Sequence, residues 1–233
     1  MITNKRKVWR VFPKWLKRPV KAALLNYQLR DAIRRIRNVD DGKVPGRELL
    51  SQLIVGWNNE GYQANLEYLE AVAKFSSITR GPILECGTGA TTIVLGLLSE
   101  GNQIEVWSLE HSPEWKIRIG QVLAHNKIKA VRICCSPLVD YGEFIWYEPP
   151  LEHMPKEFSL VICDGPPGST KGGRYGLLPV LGNRLPPGST ILVDDAGRPG
   201  ETELIKRWQN EAAFDIQLMG STEHQYAIMR RVR

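Results

Sequence analysis

The chain has 233 residues, 42% of them hydrophobic and 24% charged, a composition that supports a packed core and excludes disorder throughout. Four cysteines are too few for a disulfide scaffold, and no apolar run approaches the roughly 18 residues that a bilayer span needs. The net charge is +6, yet residues 1–37 carry +11 and the remaining 196 residues carry −5, so the basicity belongs to an N-terminal arm and not to the body.

In chain order, residues 1–40 read as a basic helical arm and residues 41–233 as one domain. Residues 8–18 interleave Trp9, Phe12, Trp15 and Leu16 with lysine and arginine. Residues 22–37 have helical spacing, with Leu25, Leu29, Ile33 and Ile36 on one face. Such a segment suits peripheral contact with an anionic membrane surface through residues 1–37. It equally suits packing on its own domain or on a second subunit of a homo-oligomer. No stretch has the length of a secretory h-region, so a cytoplasmic location is expected. The cysteines agree: Cys86, Cys134 and Cys163 sit in apolar runs, Cys135 ends one of them, and no CxxC occurs, the pattern of buried free thiols. Asp40-Asp41-Gly42 reads as a linker or turn.

The spacing of Leu66, Leu69, Val72 and Ala73 predicts a helix over 60–77. From Gly81 onward short β-rich runs alternate with helical stretches. Strands are expected over 82–86, 104–109, 131–134, 158–163 and 189–193. Helices are expected over 91–100, after Ser112-Pro113-Glu114, and over 201–212. The Ser-Pro-Glu start combines a capping hydroxyl, proline in the first turn and an acid favoured by the helix dipole. Runs over 214–219 and 225–230 are close enough to form an antiparallel hairpin around Gly220-Ser221. This alternation implies a doubly wound α/β sheet.

In an open α/β sheet, ligands bind beyond the carboxyl ends of the strands. The residues found there are Glu85-Cys86-Gly87-Thr88-Gly89, then Glu110, then Asp164-Gly165-Pro166-Pro167-Gly168, then Asp194-Asp195. The two glycines let a ligand approach the backbone, and an acid about 20 residues further on suits a ribose diol. A dinucleotide fingerprint would place a third glycine where Thr92 stands. Glu85 suits a cation better than a diphosphate, and the amino-acid end of S-adenosylmethionine carries an ammonium and a sulfonium.

These residues resemble the class I S-adenosylmethionine-dependent methyltransferases over about residues 60–230. Asp164–Gly168 and Val193-Asp194-Asp195-Ala196 resemble a bacterial group of small-molecule or saccharide-type methyltransferases with the layout of catechol-type O-methyltransferases. The resemblance implies a Rossmann-like, seven-stranded, mostly parallel sheet with a C-terminal antiparallel hairpin, in addition to the N-terminal helices. It implies that Glu85, Gly87, Gly89 and Asp164 line the methionine end of the cofactor and that Glu110 holds the ribose. His111, Trp115 and Ser136 would flank the adenine. It also implies a Mg²⁺ or Mn²⁺ site at Asp164, Asp194 and Asp195, hard oxygen ligands that help ionise a hydroxyl nucleophile. Catechol-type enzymes carry an acid and an amide after the fifth strand, where this chain has two carboxylates.

Lys171 lies in the glycine-rich stretch 168–176, expected to act as a lid, and joins Asp164 as a candidate catalytic residue. Arg174 and Arg198 could bind an acidic group on the substrate, and Trp146-Tyr147 could wall the acceptor pocket. The expected activity is metal-assisted O-methylation of a small-molecule or saccharide hydroxyl. A nucleic-acid methyltransferase using the basic arm is disfavoured, because Gly165 follows Asp164 directly and Gly168 replaces an aromatic residue. A nicotinamide-dependent oxidoreductase is disfavoured by Glu85 and the missing glycine. A non-catalytic, membrane-bound adaptor is disfavoured by the presence of Glu85, Glu110 and Asp164.

Overall fold

The computed structural model describes residues 13–40, 43–59 and 64–233. Trp9, Phe12, the Asp41-Gly42 part of the expected turn and the start of the helix expected from residue 60 lie outside the described residues, as do the side chains of Trp15 and Leu16.

Among the described residues three helices come first: α1 (Lys14–Arg37), α2 (Arg47–Trp57) and α3 (Leu66–Ile78). The inner half of α1 buries Leu29, Ala32, Ile33 and Ile36 in one cluster with Leu49, Leu50 and Leu53 of α2. Gly56 of α2 sets this crossing, because a Cβ there would collide with the backbone of Leu29. The arm is therefore continuous with the core from residue 29, while Leu24 and Tyr27 on its outer turns stay exposed. The α2 helix has no counterpart among the expected elements. In α3 the Asn65 side chain caps the first turn, accepting from the amides of Glu67 (2.8 Å) and Tyr68 (3.3 Å).

The strands are β1 (Ile83–Cys86), β2 (Val106–Glu110), β3 (Val131–Cys135), β6 (Leu160–Cys163), β7 (Thr190–Val193), β8 (Phe214–Gly220) and β9 (Gln225–Arg231). They form one seven-stranded sheet in the order β3-β2-β1-β6-β7-β9-β8. The five strands from β3 to β7 are parallel. β9 runs antiparallel between β7 and β8. A separate hairpin joins β4 (Leu138–Asp140) to β5 (Ile145–Tyr147).

The central strands are buried along their whole length, as parallel strands covered on both faces must be. Alternate residues serve the two faces. Ile83, Val106, Leu160 and Leu192 pack with Tyr68 and Val72 of α3 and with Leu95 of α4 (Ala90–Glu100). Leu84, Trp107, Val161 and Ile191 pack with Trp146 of β5, Leu178 of α6 (Leu177–Leu181) and Trp208 of α7 (Pro199–Glu211). The expected cap of α5 (Pro113–His125) is present: Ser112 Oγ accepts from the Trp115 amide at 3.2 Å. Among the cysteines, Cys86 and Cys163 are buried as expected and Cys134 is half-buried, but Cys135 is exposed because it stands on the outer strand of the sheet. No helix of the described residues is long and apolar enough to cross a membrane.

Candidate functional site

The parallel strands β2, β1, β6 and β7 end side by side, so the segments that follow them meet on one rim. They enclose a cavity of about 920 Å³. Thr88, Glu110 and His111 face it from the β1–β2 side, and Asp164, Asp194 and Asp195 from the β6–β7 side. α2, the segment after it and the start of α3 line it with Ile54, Val55, Asn59 and Leu66.

The glycine loop is shaped from below. Glu85 is fully buried, and its carboxylate accepts from Thr91 Oγ1 (2.6 Å), Thr92 Oγ1 (2.8 Å) and Ser108 Oγ (2.6 Å). Thr92 Oγ1 in turn accepts from the Gly89 amide at 2.8 Å. Glu85 therefore holds the start of α4 and does not line the cavity, which corrects its expected place beside the cofactor. Burial raises its pKa to about 7, opposed by the three hydroxyl bonds. Gly87 has φ +87, the left-handed region, and packs close to Gly165. Gly89 has open space around its Cα, so a ligand can reach the backbone there.

Glu110 ends β2 and is only 3% exposed. One oxygen accepts from the amide (3.1 Å) and hydroxyl (2.7 Å) of Thr88, the other from the Ser112 amide at 2.9 Å. His111 Nδ1 is 3.3 Å from the same carboxylate. Trp115 lines the cavity and donates from Nε1 to the Thr88 carbonyl at 2.5 Å. The Tyr147 hydroxyl is buried without a partner, in a cavity-lining residue beneath Gly165.

At the β6–β7 side, Asp164, Asp194 and Asp195 offer oxygens within 4.8 Å of one another. Arg174, 2% exposed, already reaches into this group. Its Nη2 donates to Asp164 Oδ1 (3.1 Å), to the Asp164 carbonyl (2.9 Å) and to Asp195 Oδ2 (3.2 Å). Its Nη1 donates to the Asp194 carbonyl and lies 3.8 Å from Glu201 Oε1. Arg198 Nη1 is 2.7 Å from Asp195 Oδ2. Asp194 Oδ1 accepts from the Asp195 amide at 2.9 Å, with Asp195 itself left-handed at φ 57.

A divalent ion bound by these carboxylates would lie against a buried guanidinium. With that cation in place, the chemistry of the donor set does not suit the expected Mg²⁺ or Mn²⁺ site, although the three carboxylates do cluster. Burial first, then the charges of Asp164 and Asp195, raise the Asp194 carboxyl to about 8. Burial raises Asp164 to about 6, with Arg174 opposing it.

Of the other expected site residues, Gly87, Gly89, Glu110, His111 and Asp164 face the cavity. Ser136 is buried outside it, since β3 is the outermost parallel strand. Lys171 also lies outside it, its Nζ donating to the Gly142 carbonyl at 2.5 Å. Its own carbonyl accepts from the Ile145 amide at 2.9 Å, so the expected lid is tied to the β4–β5 hairpin. Sequence reasoning missed Asn59, Asn65 and His224, which line the cavity from the far rim. Asn59 falls in the segment 40–62, which has to fold over the strand ends; nothing in the sequence marks Asn65 or His224.

No protein-family model matches this chain, and no curated protein matches it. Solved structures share its fold. The precorrin-6y C5,15-methyltransferase of Geobacter metallireducens GS-15 is 12% identical with a TM-score of 0.56, over 75% of this chain and 92% of that one. An SAH-bound methyltransferase from Podospora anserina is 14% identical with a TM-score of 0.54, over 94% and 97%. A ribosomal protein L11 methylase from Lactobacillus delbrueckii subsp. bulgaricus is 13% identical with a TM-score of 0.52, over 73% and 81%. At these identities the likeness is one of fold: the Rossmann-like sheet with its terminal antiparallel hairpin.

Proposed function

We propose that the chain is an S-adenosylmethionine-dependent methyltransferase acting on a hydroxyl of a small polar acceptor, such as a saccharide. The observation that carries the reading is the convergence of the Gly87–Gly89 loop, Glu110 and Asp164 on one cavity from three adjacent parallel strands. A volume of about 920 Å³ is near the top of the roughly 300–1,000 Å³ range of ligand sites, which leaves space for an acceptor beside a cofactor. The methyltransferase fold of the solved neighbours supports the same reading.

S-adenosylmethionine would supply a methyl carbon on a sulfonium, the acceptor oxygen bonding to that carbon as the carbon–sulfur bond breaks. Glu110 takes the ribose hydroxyls, and Asp164 faces the positive amino-acid end. Asp194, the one member of the acid trio whose carboxylate no arginine of the described residues touches, takes the proton from the acceptor hydroxyl. Its raised pKa suits it to that task. The Gly89 amide is occupied by Thr92, which leaves it unavailable to a dinucleotide's pyrophosphate. Asn59, Asn65, Ser169 and His224 supply polar contacts for the acceptor.

Titration calorimetry with S-adenosylhomocysteine and with NAD⁺ tests the reading. S-adenosylhomocysteine binds, and Glu110→Ala weakens it by the roughly 1–3 kcal/mol of a charged hydrogen-bond pair. NAD⁺ gives no heat. Binding of NAD⁺ alone would reverse the assignment.

A further inference from the structure

We propose that Arg174 is the resident cation of the acidic cluster: a guanidinium held between Asp164 and Asp195 takes the place of a divalent metal, and the protein works without one. Three observations carry this. Nη2 bridges the two side chains at 3.1 and 3.2 Å, engaging oxygens that a metal would need. Glu201, itself buried, adds a third acid 3.8 Å from Nη1. The backbone carbonyls of Asp164 and Asp194 accept two further bonds. The guanidinium is thus built into the walls and not swung in from solvent.

An arginine keeps its charge at any pH the protein meets. A metal ion ligated by Asp164 and Asp195 would share their oxygens with a fixed positive charge one hydrogen bond away, at 3.1 and 3.2 Å. The route by which Arg174 arrives is also specific. Gly172 and Gly173 have φ +74 and +53, and Gly176 packs so closely on Trp146 that any side chain would collide. The glycine-rich stretch is therefore shaped to deliver this side chain to the strand ends. The catalytic meaning of the inference rests on the proposed function: Arg174 positions Asp164 and Asp195 and leaves Asp194 free to exchange a proton. Its physical content, the exclusion of metal, does not depend on that function.

Mn²⁺ binding to the full chain, followed by electron paramagnetic resonance at neutral pH, tests it. The unaltered protein leaves the free Mn²⁺ signal undiminished up to about millimolar concentration, weaker than a dedicated all-protein cation site. Arg174→Met opens the cluster and binds Mn²⁺ at least about tenfold more tightly, whereas Arg174→Lys, which keeps a positive charge, behaves like the unaltered protein. Stoichiometric Mn²⁺ binding to the unaltered protein overturns the inference, as does a folded Arg174→Met that gains no affinity. If Arg174→Met does not fold, the measurement on the unaltered protein decides alone. S-adenosylhomocysteine calorimetry on the same samples separates the two claims. Cofactor bound together with Mn²⁺ sinks only the metal-free inference, while absence of both sinks only the proposed function.

Discussion

Three carboxylates a few ångströms apart cannot all behave alike, and their surroundings assign them different work. Asp164 and Asp195 share one nitrogen of Arg174, and Asp195 has Arg198 as well. Among the described residues the Asp194 carboxylate has only the amide of its neighbour, and burial keeps it proton-hungry at about 8. Asp194→Asn keeps the shape and the backbone bond but removes the proton acceptor. Methyl transfer should fall at least about 100-fold, the low end of a general base's contribution. Affinity for S-adenosylhomocysteine should stay within about threefold; parallel loss of both would assign Asp194 to cofactor binding. The same comparison shows why residue types misled at Glu85. An acid two positions before a glycine pair reads as a ligand contact, but its partners Thr91, Thr92 and Ser108 are brought to it by the turn into α4 and by β2. Nothing local in the sequence marks three hydroxyls converging on one carboxylate.

Among the elements, the central parallel strands were legible because strands buried on both faces are short, continuous apolar runs bounded by glycine or charge. The Ser112 cap of α5 was legible because every partner lies within four residues. α2 was not. Its segment mixes Arg47, Glu48 and Gln52 with Leu50, Leu53 and Ile54, and it contains Gly56, which reads as a helix breaker until Leu29 of α1 is seen against it. β4 and β5 are three residues each, below the length at which alternation can be read. The Gly56 crossing gives a prediction of its own. Gly56→Ala raises intrinsic helix propensity by about 1 kcal/mol, yet should destabilise the protein by about 1–3 kcal/mol, the usual cost of overpacking. Chemical denaturation followed by circular dichroism would show the sign, and a more stable variant would mean that α1 does not sit on α2.

At the scale of the whole molecule, the cavity and the glycine loop beneath it gather acids that the fold keeps partly protonated. Glu85, Asp164 and Asp194 stand at about 7, 6 and 8, above the ordinary carboxyl range near 4. Carboxyls raised on folding contribute stability that is fully present below their unfolded values and lost as the pH climbs through their folded ones. The ligand-free protein should therefore lose stability between about pH 4 and pH 8 on account of these groups. A cationic methyl donor favours the ionised form of Asp164, so its binding should release a proton and tighten as the pH rises through about 6. Calorimetry in buffers of different ionisation enthalpy measures that release; no buffer dependence would mean that the donor does not meet Asp164. The close stacking of Gly87, Gly165 and Tyr147 has one further consequence. That half of the bowl is fixed, since an added methyl at Gly165 meets the tyrosine hydroxyl or another strand's backbone, whereas the opposite lip carries the exposed Val55 and His224. Drift toward new acceptors, whether by evolution or by an engineer's library, should begin at those two side chains.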